Sequence, residues 1–312
     1  MMKKFMKVCF ILAMVLIIVG CVCYMVGRNT EGRERMDEVL SQISGDRLHL
    51  DLENSWGIFG SDDVYDINDA SVFRDDYEIW QGDVEKQKIC QGDFYELDLE
   101  IGGSMVEIDR SDDEYVYIKA ENAGKLQAYL EDGVLYVRSV RPSSLSDEIK
   151  NSRITLYLPK DCRLVVMDVS LGAGQLKAKD LQVDEVIAEI GAGQLQLENV
   201  EAIDMEFSLG AGEIIAKQVS LSTFSAQIGA GNLEFSGEIR ENAEIECSMG
   251  NVRMKLEGEK LDYNYELDCV AGNMEIGGDK YSGAAVSKEI DNGAEKSIDI
   301  ECSMGNVEVE FE

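Results

Sequence analysis

The chain has 312 residues, 45% of them hydrophobic, enough for a sizeable core, and a formal charge of −32. So acidic a surface repels nucleic acid and anionic lipid and excludes binding to phosphate backbones. The apolar residues are too frequent and too regularly spaced for a disordered acidic chain.

The chain opens "MMKKFMKVCFILAMVLIIVGCVCYMVGRN", with Lys3, Lys4 and Lys7 ahead of an uncharged run from Val8 to Val26. At about 1.5 Å per residue, a helix of that length spans roughly 28 Å, near the hydrocarbon thickness of a bilayer. Residues 1–27 therefore read as a basic start and one transmembrane anchor, the chain's expected contact with a membrane. A cleaved signal peptide fits less well, because no small-x-small site precedes a polar residue. Ile18-Val19-Gly20-Cys21 resembles a bacterial lipobox, which would place a lipid on Cys21, yet apolar residues continue to Val26. The three lysines favour a cytoplasmic N-terminus, whereas Arg28, Arg33 and Arg35 pull the other way. The expectation is a single-pass protein of the cell membrane with its bulk outside; a cytoplasm-facing membrane-bound scaffold stays open.

Residues 28–88 read as a short helix, a linker and an irregular covering layer. Met36, Val39, Leu40 and Ile43 fall at helical spacing. Asp46 to Lys88 shows no clear period. From Ile89 onward apolar and polar residues alternate, as in half-buried strands. Glu131-Asp132-Gly133 between two apolar runs predicts an antiparallel hairpin.

A repeat then dominates 89–312. The second glycines of successive Gly-x-Gly segments stand at Gly174, Gly193, Gly212 and Gly231, and the series reaches Gly250, always 19 residues apart. Steps of 22 and 33 residues follow, to Gly272 and Gly305. The first glycines are Gly172, Gly191, Gly210 and Gly229. Three residues before each second glycine stand Leu171, Ile190, Leu209, Ile228, Cys247, Cys269 and Cys302. The intervening column of Ser170, Glu189, Ser208, Gln227, Glu246, Asp268 and Glu301 is entirely polar. Self-similarity at a short fixed period marks a solenoid. The predicted fold is thus all-β: a β-helix-like stack of 19-residue rungs with glycine corners, preceded by the transmembrane helix. Glycine suits corners where tight bends and rung-to-rung contact leave little room for a side chain.

The late cysteines fall in an inward column, where a thiol acts as a small hydrophobe. "IECSMGNV" at Ile245–Val252 recurs verbatim at Ile300–Val307. Metal binding by these thiols lacks a fourth ligand or a nearby histidine.

Phosphate-binding loops need a glycine-rich turn that opens a helix; here a strand follows each time. Calcium β-rolls need Asp in every turn, whereas these turns carry Ala or Met. His49 is the only histidine and lies in the aperiodic region, which argues against a Ser-His-Asp or Cys-His centre. A polysaccharide-acting enzyme on a β-helix remains the alternative class, but outward carboxylates are too abundant to single out a pair. No catalytic residue, cofactor or metal ligand is expected. The stretch from Gly277 to Lys296 departs from the period and adds Lys280, Lys288 and Lys296 beside Tyr281, a candidate binding loop in which Asn292-Gly293 could close a hairpin. Glu308, Glu310 and Glu312 alternate with apolar residues on what reads as an uncapped last edge.

The run "ITLYLPKDCRLVVMDVSLGAGQL", the Gly-x-Gly strand repeats and the closing "GNVEVEF" resemble the DUF4097 family of bacterial β-strand-repeat proteins, often labelled proposed adhesins. The resemblance covers residues 89–312. It implies a β-solenoid-like domain, commonly membrane-anchored in Gram-positive bacteria and associated with cell-envelope stress systems, with no catalytic residues to carry over. The expected role is a non-catalytic, extracytoplasmic scaffold for binding or sensing at the cell envelope, its protein or polymer partner unnamed by the sequence.

Overall fold

The computed structural model describes residues 73–91, 94–140, 152–282 and 285–312. The anchor, Cys21 and the expected amphipathic helix lie outside the described residues. Strand content begins at Trp80, ahead of the expected start at Ile89: β1 is Trp80–Gln91, β2 Glu96–Ile101, β3 Met105–Ser111, β4 Tyr115–Glu131, β5 Val134–Val140 and β6 Arg153–Pro159. The repeat supplies β7 (Arg163–Leu171), β8 (Gln175–Ile190), β9 (Gln194–Glu201), β10 (Asp204–Leu209), β11 (Glu213–Ile228), β12 (Asn232–Cys247) and β13 (Asn251–Leu256). A 3-10 turn at Lys260–Asp262 leads to β14 (Tyr263–Cys269), β15 (Asn273–Ile276), β16 (Asp279–Ser282), β17 (Val286–Ile290), β18 (Lys296–Cys302) and β19 (Asn306–Phe311). All are hydrogen-bonded into one 19-stranded sheet.

Each tier is a strand, a glycine corner and a second strand, stacked parallel on the next at about 4.8 Å. In the middle of the stack the register is 19 residues: Val169 pairs with Ala188, Phe207 with Ala226, and Leu176 with Leu195. Strict alternation sends one side of each strand inward, as the pattern of β10 illustrates, with Met205, Phe207 and Leu209 buried and Asp204, Glu206 and Ser208 exposed. Tiers meet at a second bend as well. Asp180, Asn199 and Gln218, again 19 apart, have φ of 55°, 54° and 55°, and the Asn199 amide donates to Asp180 Oδ1 at 2.5 Å. Polar side chains, Asn and Asp above all, tolerate this left-handed conformation best, and no glycine marks the bend.

At the first corner, space is the constraint. A Cβ on Gly193 would lie 2.7 Å from the Gly174 carbonyl oxygen, and one on Gly250 2.3 Å from that of Gly231. The tiers are tied there by backbone bonds: Gln194 N donates to Gly174 O and Glu213 N to Gly193 O, both at 3.0 Å. Toward the first strands the glycine column continues as Ser104 and Ser152, and Ser139 takes the place of the inward Leu or Ile. These hydroxyls are buried and bond one another, Ser104 Oγ lying 2.8 Å from Ser139 Oγ and 3.0 Å from Ser152 Oγ. Burial without partners would cost about 1–3 kcal/mol per hydroxyl, so the trio is self-satisfying.

The predicted fold class is corrected in its topology: the tiers are not stacked in chain order, and antiparallel strands cover both ends. The β2–β3 tier lies between β5–β6 and β7–β8, because β2 pairs with β5 and β7, and β3 with β6 and β8. Likewise the β18–β19 tier lies between β12–β13 and β14–β15. β4, with β1 on its far side, runs antiparallel over β5 and β6; β16 and β17 run antiparallel over β15 and β14. Aligned glycines reveal which residues share a column but not the order of tiers, and the 22- and 33-residue steps are long enough to pass over a neighbour. The expected transmembrane helix lies outside the described residues, among which no helix is long and apolar enough to cross a membrane. What the chain builds is an all-β mixed sheet.

Two smaller expectations change with it. Glu308, Glu310 and Glu312 do not guard an open edge: Glu308 pairs with Arg253 at 3.0 Å, and Lys255 lies 3.6 Å from both Glu310 and Glu312. Asn292-Gly293 closes no hairpin; it crosses over β14, where Asn292 Nδ2 donates to Tyr263 O at 2.7 Å. The Glu131–Gly133 hairpin is present, with Asp132 and Gly133 at φ 49° and 84° joining β4 to β5.

Candidate functional site

The outward residues of the strands that precede the glycine corners form two carboxylate-rich columns. One runs Asp98, Asp168, Ile187, Glu206, Ser225, Glu244, Asp299, Glu266. Its neighbour runs Glu100, Ser170, Glu189, Ser208, Gln227, Glu246, Glu301, Asp268 in the same tiers. The density peaks where Glu244–Asp299–Glu266 and Glu246–Glu301–Asp268 lie side by side over adjacent tiers. Next to them a hollow of about 470 Å³ is lined by Glu185, Asp204, Glu206, Thr223, Glu244 and Asp299, among others.

Parallel stacking forces like charges together, and the electrostatics register it. Burial raises the Asp299 carboxyl above its ordinary range, and Glu266, Glu244, Glu301 and Asp268 push it further. Asp168 is pushed up to about 6, chiefly by burial, then by Asp98, Glu189 and Glu96. Burial also raises Asp98, opposed by Arg138, which lies 3.5 Å from Asp98 and bonds Glu100. The folded state therefore holds the Asp168 proton more tightly than the unfolded chain, where an aspartate titrates near 4. Stability falls as pH rises from about 4 to about 6, and the penalty is fully present above that window. Asp168→Asn should raise stability at pH 7 by about 1 kcal/mol, a figure reduced for partial exposure. In thermal melts across pH, the gain should vanish below about pH 4; a gain that persists there would assign it to packing instead.

The strands that follow the corners present a different outer face. Asn232, Asn251, Asn306 and Asn273 form an amide ladder: Asn251 Nδ2 donates to Asn232 Oδ1 at 2.9 Å, Asn306 to Asn251 at 2.9 Å, and Asn273 to Asn306 at 3.0 Å. In the preceding tiers of the same column Gln175 donates to Gln194 and Gln194 to the Glu213 carboxylate. This face intersperses acidic and basic residues, with Lys217 paired to Glu234, Arg253 to Glu308 and Lys255 to Glu310, so it lacks the unbalanced field of the acidic one.

The residues of the candidate binding loop fall on three strands, with Tyr281 and Lys288 brought together. Lys280 and Tyr281 lie on β16 and Lys288 on β17, the covering strands, and Lys296 begins β18. Lys280 pairs with Glu275 at 3.4 Å; Lys288 Nζ sits 4.8 Å from the Tyr281 ring and Lys296 Nζ 5.2 Å from that of Tyr263. Cys247, Cys302 and Cys269 stack as registered neighbours, all buried, with Cys302 in the middle. Among the described residues no group of three or more His, Cys, Asp or Glu side chains is disposed to hold a metal ion. The polar column two residues upstream of the one legible in the sequence, beginning at Asp98 and Asp168, completes the acidic face; its alternation with buried Val169 and Phe207 was the available signal.

The stacking period, the glycine corners and the sheet accord with the Toastrack DUF4097 family model, which matches residues 94–237 and again 167–310. This chain belongs to the DUF4097 family. Solved structures similar to this Toastrack chain include a proposed adhesin from Bacteroides fragilis, 12% identical, covering 74% of this chain and 97% of that one with a TM-score of 0.43. A proposed cell adhesion protein from Clostridium sporogenes is 13% identical and covers 73% of this chain and 100% of its own, TM-score 0.35. A proposed lipid-binding protein from Parabacteroides distasonis is 15% identical, with 72% and 96% covered and a TM-score of 0.34. At those identities and scores none of them transfers a ligand. No curated protein matches the Toastrack chain.

Proposed function

We propose that the chain is a non-catalytic binding scaffold of the cell envelope, tethered to the membrane through its N-terminal segment, with the acidic face as its recognition surface. The observation that supports this is the unbalanced charge of that face, concentrated at Glu244, Asp299, Glu266, Glu246, Glu301 and Asp268. Clustered charge of one sign raises the local concentration of oppositely charged partners and speeds their encounter. The partner class is therefore a cationic envelope protein or polymer.

The full-length chain in detergent should bind poly-L-lysine in a salt-dependent manner. Glu244→Gln/Asp299→Asn/Glu266→Gln should weaken binding more than neutralising Glu234, Glu308 and Glu310 on the opposite face. Equal losses from the two triple variants would remove the acidic face from the proposal, and cleavage of any member of a glycan panel would replace it with an enzyme. Protease added to intact cells tests the topology, because survival of 46–312 would overturn the outside assignment. The mass of the mature protein separates an anchor, which retains Met2–Gly20, from a lipoprotein processed at Cys21.

A further inference from the structure

The β18–β19 tier is an insert between two tiers that fit each other without it. Cα registration runs Asn242–Ser297–Asn264, Ala243–Ile298–Tyr265, Ile245–Ile300–Leu267 and Cys247–Cys302–Cys269 on one side. On the other it runs Asn251–Asn306–Asn273, Val252–Val307–Met274, Arg253–Glu308–Glu275 and Met254–Val309–Ile276. Deleting the middle member of each triplet leaves apolar residues opposite apolar ones inside. Outside, the amide ladder stays unbroken from Asn251 to Asn273, and Arg253 exchanges one carboxylate, Glu308, for another, Glu275. The outer tier also has an attachment of its own to β12, since the buried Tyr263 hydroxyl donates to Ile239 O at 3.0 Å. The segment 257–262 that links β13 to β14 already spans two tier spacings, about 9.6 Å, and one spacing asks less of it.

The insert itself duplicates its neighbour. Ile300–Val307 repeats Ile245–Val252 residue for residue and lies directly on it, Ile on Ile, Glu246 on Glu301, Cys on Cys. Whatever surface accepts one copy of that octapeptide accepts the other.

We propose that the β18–β19 tier is a removable insert: β14–β15 has a second resting place directly on β12–β13, in unchanged register, and its occupation frees residues 296–312 to enter the same slot in a second copy of the chain. The device is a population shift between two stackings of one sequence, of the bistable kind that packed elements allow. Lys255 discriminates them, because its partners Glu310 and Glu312 belong to the insert and nothing on β15 replaces them.

Hydrogen exchange of the full-length chain, read by mass spectrometry, tests this. An interior tier held only by the stack should exchange no sooner than the outer tier that covers it. If the insert leaves on its own, amides of 298–311 exchange ahead of both 264–276 and 243–256. Lys255→Gln, an exposed change that leaves the core intact, should then speed exchange in β19 by about two- to fivefold, the range expected for an exposed ion pair, and leave β14–β15 unchanged. Protection of 298–311 equal to or above that of 264–276, or acceleration of both tiers together in the variant, would overturn the proposal and reduce the end of the sheet to ordinary fraying.

Discussion

Gly212→Ala should lower the melting temperature by about 6–12 °C, the shift that about 3 kcal/mol produces in a domain of this size. The added Cβ would sit 2.0 Å from the Gly193 carbonyl oxygen and 3.0 Å from its nitrogen, both main-chain atoms of the tier below. A flexible side chain could swing aside; a carbonyl already accepting from Glu213 N at 3.0 Å cannot move without breaking that bond. The two tiers must part locally, and because each tier is stabilised mainly by its immediate neighbours, the damage should centre on β9 to β12. Ala192→Ser, at the exposed middle position of a corner, is the control and should shift stability by less than about 0.5 kcal/mol. Calorimetry of the two variants checks the pair of values. A Gly212→Ala protein that melts with the control would mean that the corner column tolerates a side chain.

Phe235→Ala should cost about 3–5 kcal/mol, the range for truncating a fully buried aromatic. Phe235 has no exposed surface and packs its ring 4.9 Å from that of Phe224, which meets Phe207 edge-on at 5.5 Å. The three rings, Phe207 in one tier and Phe224 with Phe235 in the next, occupy a space that small aliphatics and alanines share elsewhere, as Ala188 and Ala226 show beside Phe207. The cavity left by the ring cannot collapse, since the tier spacing is set by backbone hydrogen bonds and not by the side chains. Denaturant unfolding should therefore show a lower midpoint, and partial refilling by Ala216→Leu, whose Cα is registered opposite Phe235, should recover part of the loss. Recovery is the informative arm, because global misfolding of Phe235→Ala would not be repaired by three carbon atoms added to one neighbouring side chain.

Alternation and the 19-residue period made the columns legible: Leu171, Ile190, Leu209 and Ile228 share an inward line, and Glu189 and Glu246 share an outward one. What the period could not reveal was sequence of assembly. Parallel in-register stacking is decided by which surfaces match, and Ile300–Val307 matches Ile245–Val252 as well as any in-order neighbour does. The N-terminal corner escaped for a chemical reason. Ile101-Gly102-Gly103-Ser104-Met105-Val106 superposes on Leu171-Gly172-Ala173-Gly174-Gln175-Leu176, but a search for a second glycine passes over Ser104, whose hydroxyl has found Ser139 and Ser152. The second bend escaped because Asp180, Asn199 and Gln218 are polar residues on a polar surface until their φ is known. As for the candidate site, Lys280, Tyr281 and Lys288 lie on the covering strands and Lys296 opens β18, a placement that depends on strand pairing and not on local sequence, while the acidic face is half visible in the one polar column that flanks the corners.

The antiparallel strands at the two ends have a consequence for how large such a molecule can be. A parallel in-register stack offers at each end a template for one more layer, with identical residues laid over one another as they are in a fibre. β4 at one end and β16 with β17 at the other run the wrong way to serve as that template, and thus act as terminators. With termination assigned to the ends, the number of layers between them is left free. Duplicating the 19 residues from Gly193 to Ala211 should lengthen the stack by one spacing of about 4.8 Å while both terminators stay as they are. Height becomes a quantity that gene duplication can set in fixed increments, without renegotiating solubility each time.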